Sequence, residues 1–243
     1  MRNLIVIPAY NEQGALTRTL SELEGLPDGY EILLVNDGST DTTGELARKW
    51  SETCRRPVYV VDLPINSGIG VTVQTGYIFA AQHGGYRYVI QFDADGQHDA
   101  AAIPLLIREC ETRDLDLCIG SRFLEPDAGG FRSTAARRLG IRFFTWLISS
   151  LSGVRVSDPT SGLRCAGPRA WQRFARCYPE DYPEPESLFW CARNHLRIGE
   201  VPVRMWPRQT GVSSIGSRGA LYYMIKVSVA ILLDRSRIKE HGV

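Results

Sequence analysis

The sequence predicts an α/β protein with a mostly parallel central sheet flanked by helices. Three observations carry that prediction. Short apolar runs of strand length alternate with segments of helical period, a rhythm that implies right-handed crossovers and a sheet covered on both faces. Each of the early runs stops at a cluster of acidic, amide or glycine residues. The composition, 243 residues with 44% hydrophobic, 23% charged and a net charge of +1, is that of a globular chain with a sizeable core. The near-zero net charge argues against bulk attraction to nucleic acid.

The elements follow in order. Leu4 to Ile7 reads as a strand that ends at Pro8, Tyr10, Asn11 and Glu12, and Leu16, Leu20 and Leu23 then recur at helical spacing. Glu31 to Val35 is the second strand, followed by Asn36, Asp37, Gly38, Ser39, Thr40 and Asp41, whose Ser-Thr-Asp group can cap a helix. Val58 to Val61 is the third and leads through Asn66, Gly68 and Gly70 to a helix around Val73 to Ala81. The glycine spacing there is neither GxGxxG nor a P-loop; a tight turn with close helix packing competes with a ligand role.

The fourth run, YRYVIQFDADGQHD from Tyr86 to Asp99, is the stretch the chain is built around. Asp93 and Asp95 lie one residue apart at a strand end and project to one side. That pair suits a hard divalent cation, Mg2+ or Mn2+, which takes one or two carboxylates and completes its shell with water and phosphate oxygens. A bare acidic pair of this kind is equally compatible with a solvated turn. Ligands of such sheets bind beyond the carboxyl ends of the strands, where Pro8 to Glu12, Asn36 to Asp41, Asn66 to Gly70 and Asp93 to Gln97 would gather. Without a cation or nucleotide, Asp37, Asp93 and Asp95 would mainly repel one another.

Six ordered motifs, IPAYNE at 7–12, VNDGSTD at 35–41, NSGIG and QTGY within 66–77, DADGQH at 93–98, GSR at 120–122 and DPTSGLR at 158–164, resemble the inverting family 2 glycosyltransferases of GT-A fold. Dolichyl- and polyprenyl-phosphate sugar synthases are the most similar group. The resemblance implies that Pro8, Tyr10, Glu12 and Asp37 hold the nucleoside of a UDP- or GDP-linked sugar, with Asp37 facing the base. It places Asp93 and Ala94 by the ribose and diphosphate, and Asp95 and Gln97, with Asp93, at the metal. Arg122 would grip a phosphate through its guanidinium fork, a surface ion pair being the alternative. Asp158, Ser161 and Arg164 are carried over beside an acceptor phosphate, and Arg208, Gly211 and Ser213 close over the diphosphate.

The second half changes character. Between Gly129 and Gly153, Arg132, Arg137, Arg138 and Arg142 accompany an apolar stripe of Leu139, Phe143, Leu147, Ile148 and Leu151. With Trp146 this suits a membrane interface holding acceptor phosphate near Arg138, or a core-packing helix with a solvated basic end. Residues 125–130 form a candidate lid. If a carboxylate assists acceptor attack, Asp158 comes first, then Glu184 and Glu186 in YPEDYPEPES, where solvated loop is the bland reading. Leu221 to Leu233 reads as a helix too short to span a bilayer that must bury itself in core, a membrane surface or a partner.

The expected organisation is a glycosyltransferase domain over 1–214, its nucleotide-sugar half at 1–122 and its acceptor half at 123–214, and an apolar C-terminal helix over 215–243. The expected activity is metal-dependent inverting transfer of a hexose to a polyprenyl or dolichyl phosphate, the enzyme being cytoplasmic or peripheral on the inner face of the cytoplasmic membrane. The expected partners are the nucleotide sugar, the lipid phosphate, and a membrane surface or small integral membrane protein. Transfer to a saccharide hydroxyl, a sugar nucleotidyltransferase and a catalytically silent nucleotide-binding subunit are the competing readings. The six scattered cysteines form no framework, and most read as small buried hydrophobes of a reducing compartment.

Overall fold

The structure, a computed structural model, describes residues 2–125, 135–180, 182–206 and 217–236. Its first half alternates strictly: β1 (Arg2–Ala9), α1 (Leu16–Glu24), β2 (Tyr30–Asp37), α2 (Thr43–Thr53), β3 (Val58–Leu63), α3 (Ile69–His83), β4 (Tyr86–Gln91), α4 (Ala102–Arg113) and β5 (Leu117–Ser121). The second half runs α5 (Ala135–Ser152), β6 (Arg164–Ala166), α6 (Pro168–Arg176), α7 (Pro183–Arg193), β7 (Ile198–Pro202) and α8 (Ser217–Ser236). Every expected strand is present, some a turn longer than the apolar run alone indicated.

All seven strands form one sheet in the order β3-β2-β1-β4-β6-β5-β7. Neighbours pair in parallel except β6, which runs antiparallel to both β4 and β5. Because β6 reverses twice, β5 and β7 point the same way as β1 to β4. Their carboxyl ends therefore share one edge, and Arg164, the first residue of β6, starts from that edge. β6 inserts between two strands of the first half, so the sheet is continuous across residues 1–122 and 123–214.

The strands read as unbroken apolar runs because both faces are covered. Ile5, Ile7, Ile32, Leu34 and Ile90 belong to the core under α1 and α4. Leu4, Val6, Leu33, Val35 and Val89, one register position away, belong to the core under α3, α6 and α7. All eight residues of β2 are buried. Of the cysteines, Cys110, Cys118, Cys165 and Cys191 are buried, Cys54 is intermediate and Cys177 is exposed.

Gly70 and Gly76 serve close packing, whereas Gly68 adopts φ +91° and has no neighbour within 4 Å of a β-carbon. A β-carbon on Gly76 would lie 2.4 Å from Val6 Cγ1, so α3 approaches β1 closely only because that side chain is missing. One on Gly70 would lie 2.1 Å from the Glu180 carbonyl oxygen, where the start of α3 meets the segment before α7. The Gly70 amide donates to that same carbonyl at 3.1 Å. Gly76→Ala should destabilise the protein by about 1–3 kcal/mol through overpacking, partly offset by about 1 kcal/mol of helix propensity. Adding Val6→Ala should recover part of the loss, as read by urea denaturation of the single and double variants.

Candidate active site

The carboxyl edge is assembled from four loops that hold each other. The turn after β1 is tied to the turn after β2: Asn11 N–H donates to Ser39 Oγ at 3.0 Å, Thr40 N–H to Asn11 Oδ1 at 2.8 Å, and Glu12 N–H to Thr43 Oγ1 at 2.9 Å. Asp41 accepts from the Thr43 and Gln13 amides. Burial pushes its carboxyl up, but these bonds from Thr43 and Gln13 outweigh it and hold the pKa below the ordinary value. Pro8 is buried beneath this junction and Tyr10 projects from it, 44% exposed.

Asp37, expected to face the base, holds two backbone amides of the next loop. Its Oδ1 accepts from Ser67 N–H at 2.7 Å and its Oδ2 from Gly68 N–H at 3.0 Å. The carboxylate is thereby spent, at least in part, on shaping the glycine turn that begins α3. It is buried, and the two amides offset the cost of burying its charge.

The acidic motif lies directly beyond β4. Asp93, its side chain 29% exposed, accepts from Gln91 Nε2 at 3.2 Å and meets His98 Nε2 at 3.3 Å. Burial raises the Asp93 carboxyl, yet the His98 contact, the Gln91 amide and the charge of Arg164 together hold it below the ordinary value. Gly162 stands against this carboxylate: a β-carbon there would lie 2.1 Å from Asp93 Oδ2. The Ala94 carbonyl is held by Thr19 Oγ1 at 2.9 Å, which anchors the motif to α1.

Asp95 Oδ1 accepts from Gln97 N–H at 3.1 Å. Gln97 Nε2 donates to the Trp206 carbonyl at 3.1 Å, and Trp206 N–H returns a bond to the Gln97 carbonyl at 2.8 Å. With its amide nitrogen engaged there, Gln97 keeps its side-chain oxygen as the group to offer a cation. Among the described residues, no group of three His, Cys, Asp or Glu converges on one point. A carboxylate and an amide oxygen are hard donors, and two or three such ligands fit a small cation that keeps water and phosphate in its shell.

Arg122, Asp158 and Arg164 frame the turn that carries DPTSGLR, and all three are engaged with protein. Asp158 accepts from Arg122 Nε and Nη2, both at 2.6 Å, and from Arg122 N–H at 3.2 Å. The pair is deeply buried, with side-chain exposures of 3% and 0%, where a surface ion pair had been the alternative to a phosphate contact. Glu200 of β7 supports the pair by accepting from Ser157 N–H, Asp158 N–H and Ser157 Oγ. Burial raises the Glu200 carboxyl, although those same donors oppose the shift.

Arg164 is likewise buried, donating to the Ser161 carbonyl at 2.7 Å, Ser187 Oγ at 2.9 Å and the Pro159 carbonyl at 3.2 Å. It fastens the DPTSGLR turn to α7, and Ser161 is buried within that turn. Glu184 and Glu186 lie in the first turn of α7. The two prolines of that segment start a helix instead of extending a loop, consistent with the fit of proline to first-turn positions. Burial raises the Glu184 carboxyl; Arg164 pulls it down, Asp93 pushes it up, and the net shift is upward.

Arg138 is exposed on α5. Arg208, Gly211, Ser213, Arg132 and the lid segment from 126 lie outside the described residues. Sequence reading gave no role to Gln91, His98, Gly162, Ser187 or Glu200. A glutamine ending a buried strand and a glutamate inside the apolar run IGEVP were the available signals.

An α/β sheet with a single reversed strand, opening at one edge onto acidic strand ends and backbone turns, is the GT-A architecture of glycosyltransferases. Residues 4–175 match Glycosyl transferase family 2, and the chain belongs to that family. It is a glycosyltransferase. It is 28% identical over 243 residues to polyprenol monophosphomannose synthase of Mycolicibacterium smegmatis, covering 97% of this chain and 90% of that one. It is 28% identical over 218 residues to UDP-N-acetylglucosamine--dolichyl-phosphate N-acetylglucosaminyltransferase of Methanococcus voltae, covering 82% and 84%. In fold it matches glucosyl-3-phosphoglycerate synthase from Mycobacterium tuberculosis in complex with Mg2+ and uridine diphosphate, at TM-score 0.69 and 20% identity over 100% of this chain and 82% of that one.

Breaking the buried pair from one side leaves a charge without its partner, a cost of about 3–5 kcal/mol. Arg122→Met and Asp158→Leu should each fall in that range, and the double variant should be less destabilised than the sum, as measured by a double-mutant cycle in urea.

Proposed function

We propose that the protein transfers a hexose from a UDP- or GDP-linked sugar to a polyprenyl or dolichyl phosphate with inversion of configuration. The observation that carries this reading is the state of the acceptor side: Asp158, the first choice for a general base, is fully buried and clamped by Arg122. A hydroxyl acceptor needs a base, whereas a phosphate is already an anion and needs none. The relatives named for polyprenol and dolichyl phosphate point the same way.

In this reading Pro8, Tyr10 and Glu12 flank the nucleoside, and Asp37 acts by holding the Ser67–Gly68 turn beneath it. Asp95 and Gln97, with Asp93 beside them, would hold Mg2+ or Mn2+. When bound, such a cation neutralises the charge that develops on the departing diphosphate. Arg122 and Arg164 contribute as structural cations that fix the acceptor turn and set its potential. Ser161 and Arg138 lie on the acceptor side, and Arg208 is assigned to the diphosphate.

The acceptor's source is a lipid surface, and one face suits it. Among the described residues no helix is long and apolar enough to cross a membrane. On α5, however, Arg138, Arg142 and Trp146 follow one another at four-residue spacing and are all exposed, Trp146 to 63%. On α8, which packs against α5, Ile225, Val229, Leu232 and Leu233 are exposed while Val227 and Ile231 are buried. Basic residues beside an aromatic and an aliphatic face match the two attractions of an anionic interface. Trp146→Ala combined with Leu233→Ser should lower flotation with phosphatidylglycerol vesicles; equal flotation of the folded variant would count against docking by this face.

The activity test is incubation with Mg2+ or Mn2+, labelled UDP- and GDP-sugars, and undecaprenyl or dolichyl phosphate. Label should enter the organic phase and be lost in Asp95→Asn. Glu186→Gln should leave transfer largely intact, whereas abolition would favour a saccharide hydroxyl as acceptor. Donor binding without lipid label would overturn the acceptor assignment.

A further inference from the structure

We infer that Gln91 and His98 are positioning residues that hold the Asp93 carboxylate from two sides and present it to a cation-bound nucleoside diphosphate. This rests on the nucleotide-sugar reading above and adds to it two buried side chains that the reading leaves without a role. Both contacts are direct. Gln91 Nε2 donates to Asp93 Oδ1 at 3.2 Å, and His98 Nε2 lies 3.3 Å from Asp93 Oδ2. A nitrogen lone pair facing a carboxylate would repel it, so Nε2 carries the hydrogen whether the ring is neutral or charged. Gly162 closes the space on the Oδ2 side, where a β-carbon would lie 2.1 Å from that oxygen. The carboxylate is thus hemmed in by three residues, yet at 29% exposure its side chain is still open to a ligand.

The two holds come from separate rigid supports. Gln91 ends β4 and pairs in register with Val6 of β1 and Arg164 of β6, so it stands on the middle of the sheet. His98 is fixed from the other end of the motif. Its backbone bridges to Met205, its neighbour Gln97 exchanges two hydrogen bonds with Trp206, and its fully buried ring lies 5.7 Å from the Phe92 ring between centroids. Each hold also leaves an atom unpaired: Gln91 Oε1 and His98 Nδ1 are both buried with no hydrogen-bond partner among the described residues. An unpaired buried polar atom is destabilising, and an apolar side chain of similar size in either place would avoid it. What distinguishes these two residues from apolar filling is therefore the other end of each, the amide and imidazole N–H that meet Asp93. Hydrogen bonds from such outer residues orient a carboxylate that meets a cation and tune its charge.

The test is titration calorimetry of the full chain with UDP and GDP in the presence of Mn2+, on variants shown to fold by urea denaturation. His98→Leu should lower the affinity for the preferred nucleotide roughly 10- to 100-fold, the range for removing an outer partner of a metal-site ligand. His98→Gln should recover most of that loss, because its amide nitrogen can reach the place of Nε2. On an Asp93→Asn background His98→Leu should have little further effect, since His98 acts through that carboxylate. Unchanged affinity in His98→Leu, an equal loss in His98→Gln, or an undiminished loss on Asp93→Asn would overturn the inference. Should His98→Leu fail to fold, Gln91→Met decides: a loss of the same size supports the two-sided hold on Asp93, and wild-type affinity removes it. Wild type that binds neither nucleotide with Mn2+ would instead remove the nucleotide-sugar reading itself.

Discussion

The second half of this chain depends on one buried ion pair. Arg122 follows β5 directly and Asp158 begins the DPTSGLR turn, and their bidentate contact joins segments 36 residues apart. Buried charges are tolerated only when paired and further hydrogen-bonded. Thr160 Oγ1 takes a third bond from the guanidinium at 2.9 Å, while Glu200 fixes the backbone on which Asp158 sits. From this anchor the chain passes through Ser161 and Gly162 to Arg164, which carries the order onward into α7. Gly162 in the same turn stands against Asp93 of the acidic motif.

The carboxyl edge of the first half solves a different electrostatic problem. Several carboxyls collect at one sheet edge, which left alone would be repulsive. The structure relieves part of that repulsion locally, giving Asp37 two backbone amides, Asp41 another two, and Asp93 the Gln91 amide and His98. Asp95 and Gln97 stand at the tip of the motif, braced by Trp206 at the entrance to residues 207–216.

Away from the edge, α5 and α8 give the molecule an asymmetric surface. Their inner residues Phe144, Ile148, Val227 and Ile231 complete the core, while Trp146, Ile225 and Leu233 face outward. Lys226 lies over the Tyr182 ring at 5.6 Å, so α8 touches the residue immediately before α7. The apolar outer face and the turn that bears Glu184 are consequently mechanical neighbours.

Alternation of strand and helix was legible in the sequence because fully buried parallel strands must be uninterrupted apolar runs, and β1, β2 and β4 are such runs. The acidic edge was legible for a related reason: polar residues cannot continue a buried strand, so they mark its end. What the sequence could not convey was which of those polar groups are consumed by partners distant in the chain. Asp37 meets Ser67, Arg122 meets Asp158 and Arg164 meets Ser187, contacts between residues 23 to 36 positions apart that no local pattern announces. Nor could the sequence show that YPEDYPEPES, an apparent acidic loop, holds the first turn of a helix. Residue type and local period determined the fold and the chemistry at its edge; long-range pairing of buried charges decided which side chains remain for a substrate, because a buried charge must find its partner wherever the chain brings one.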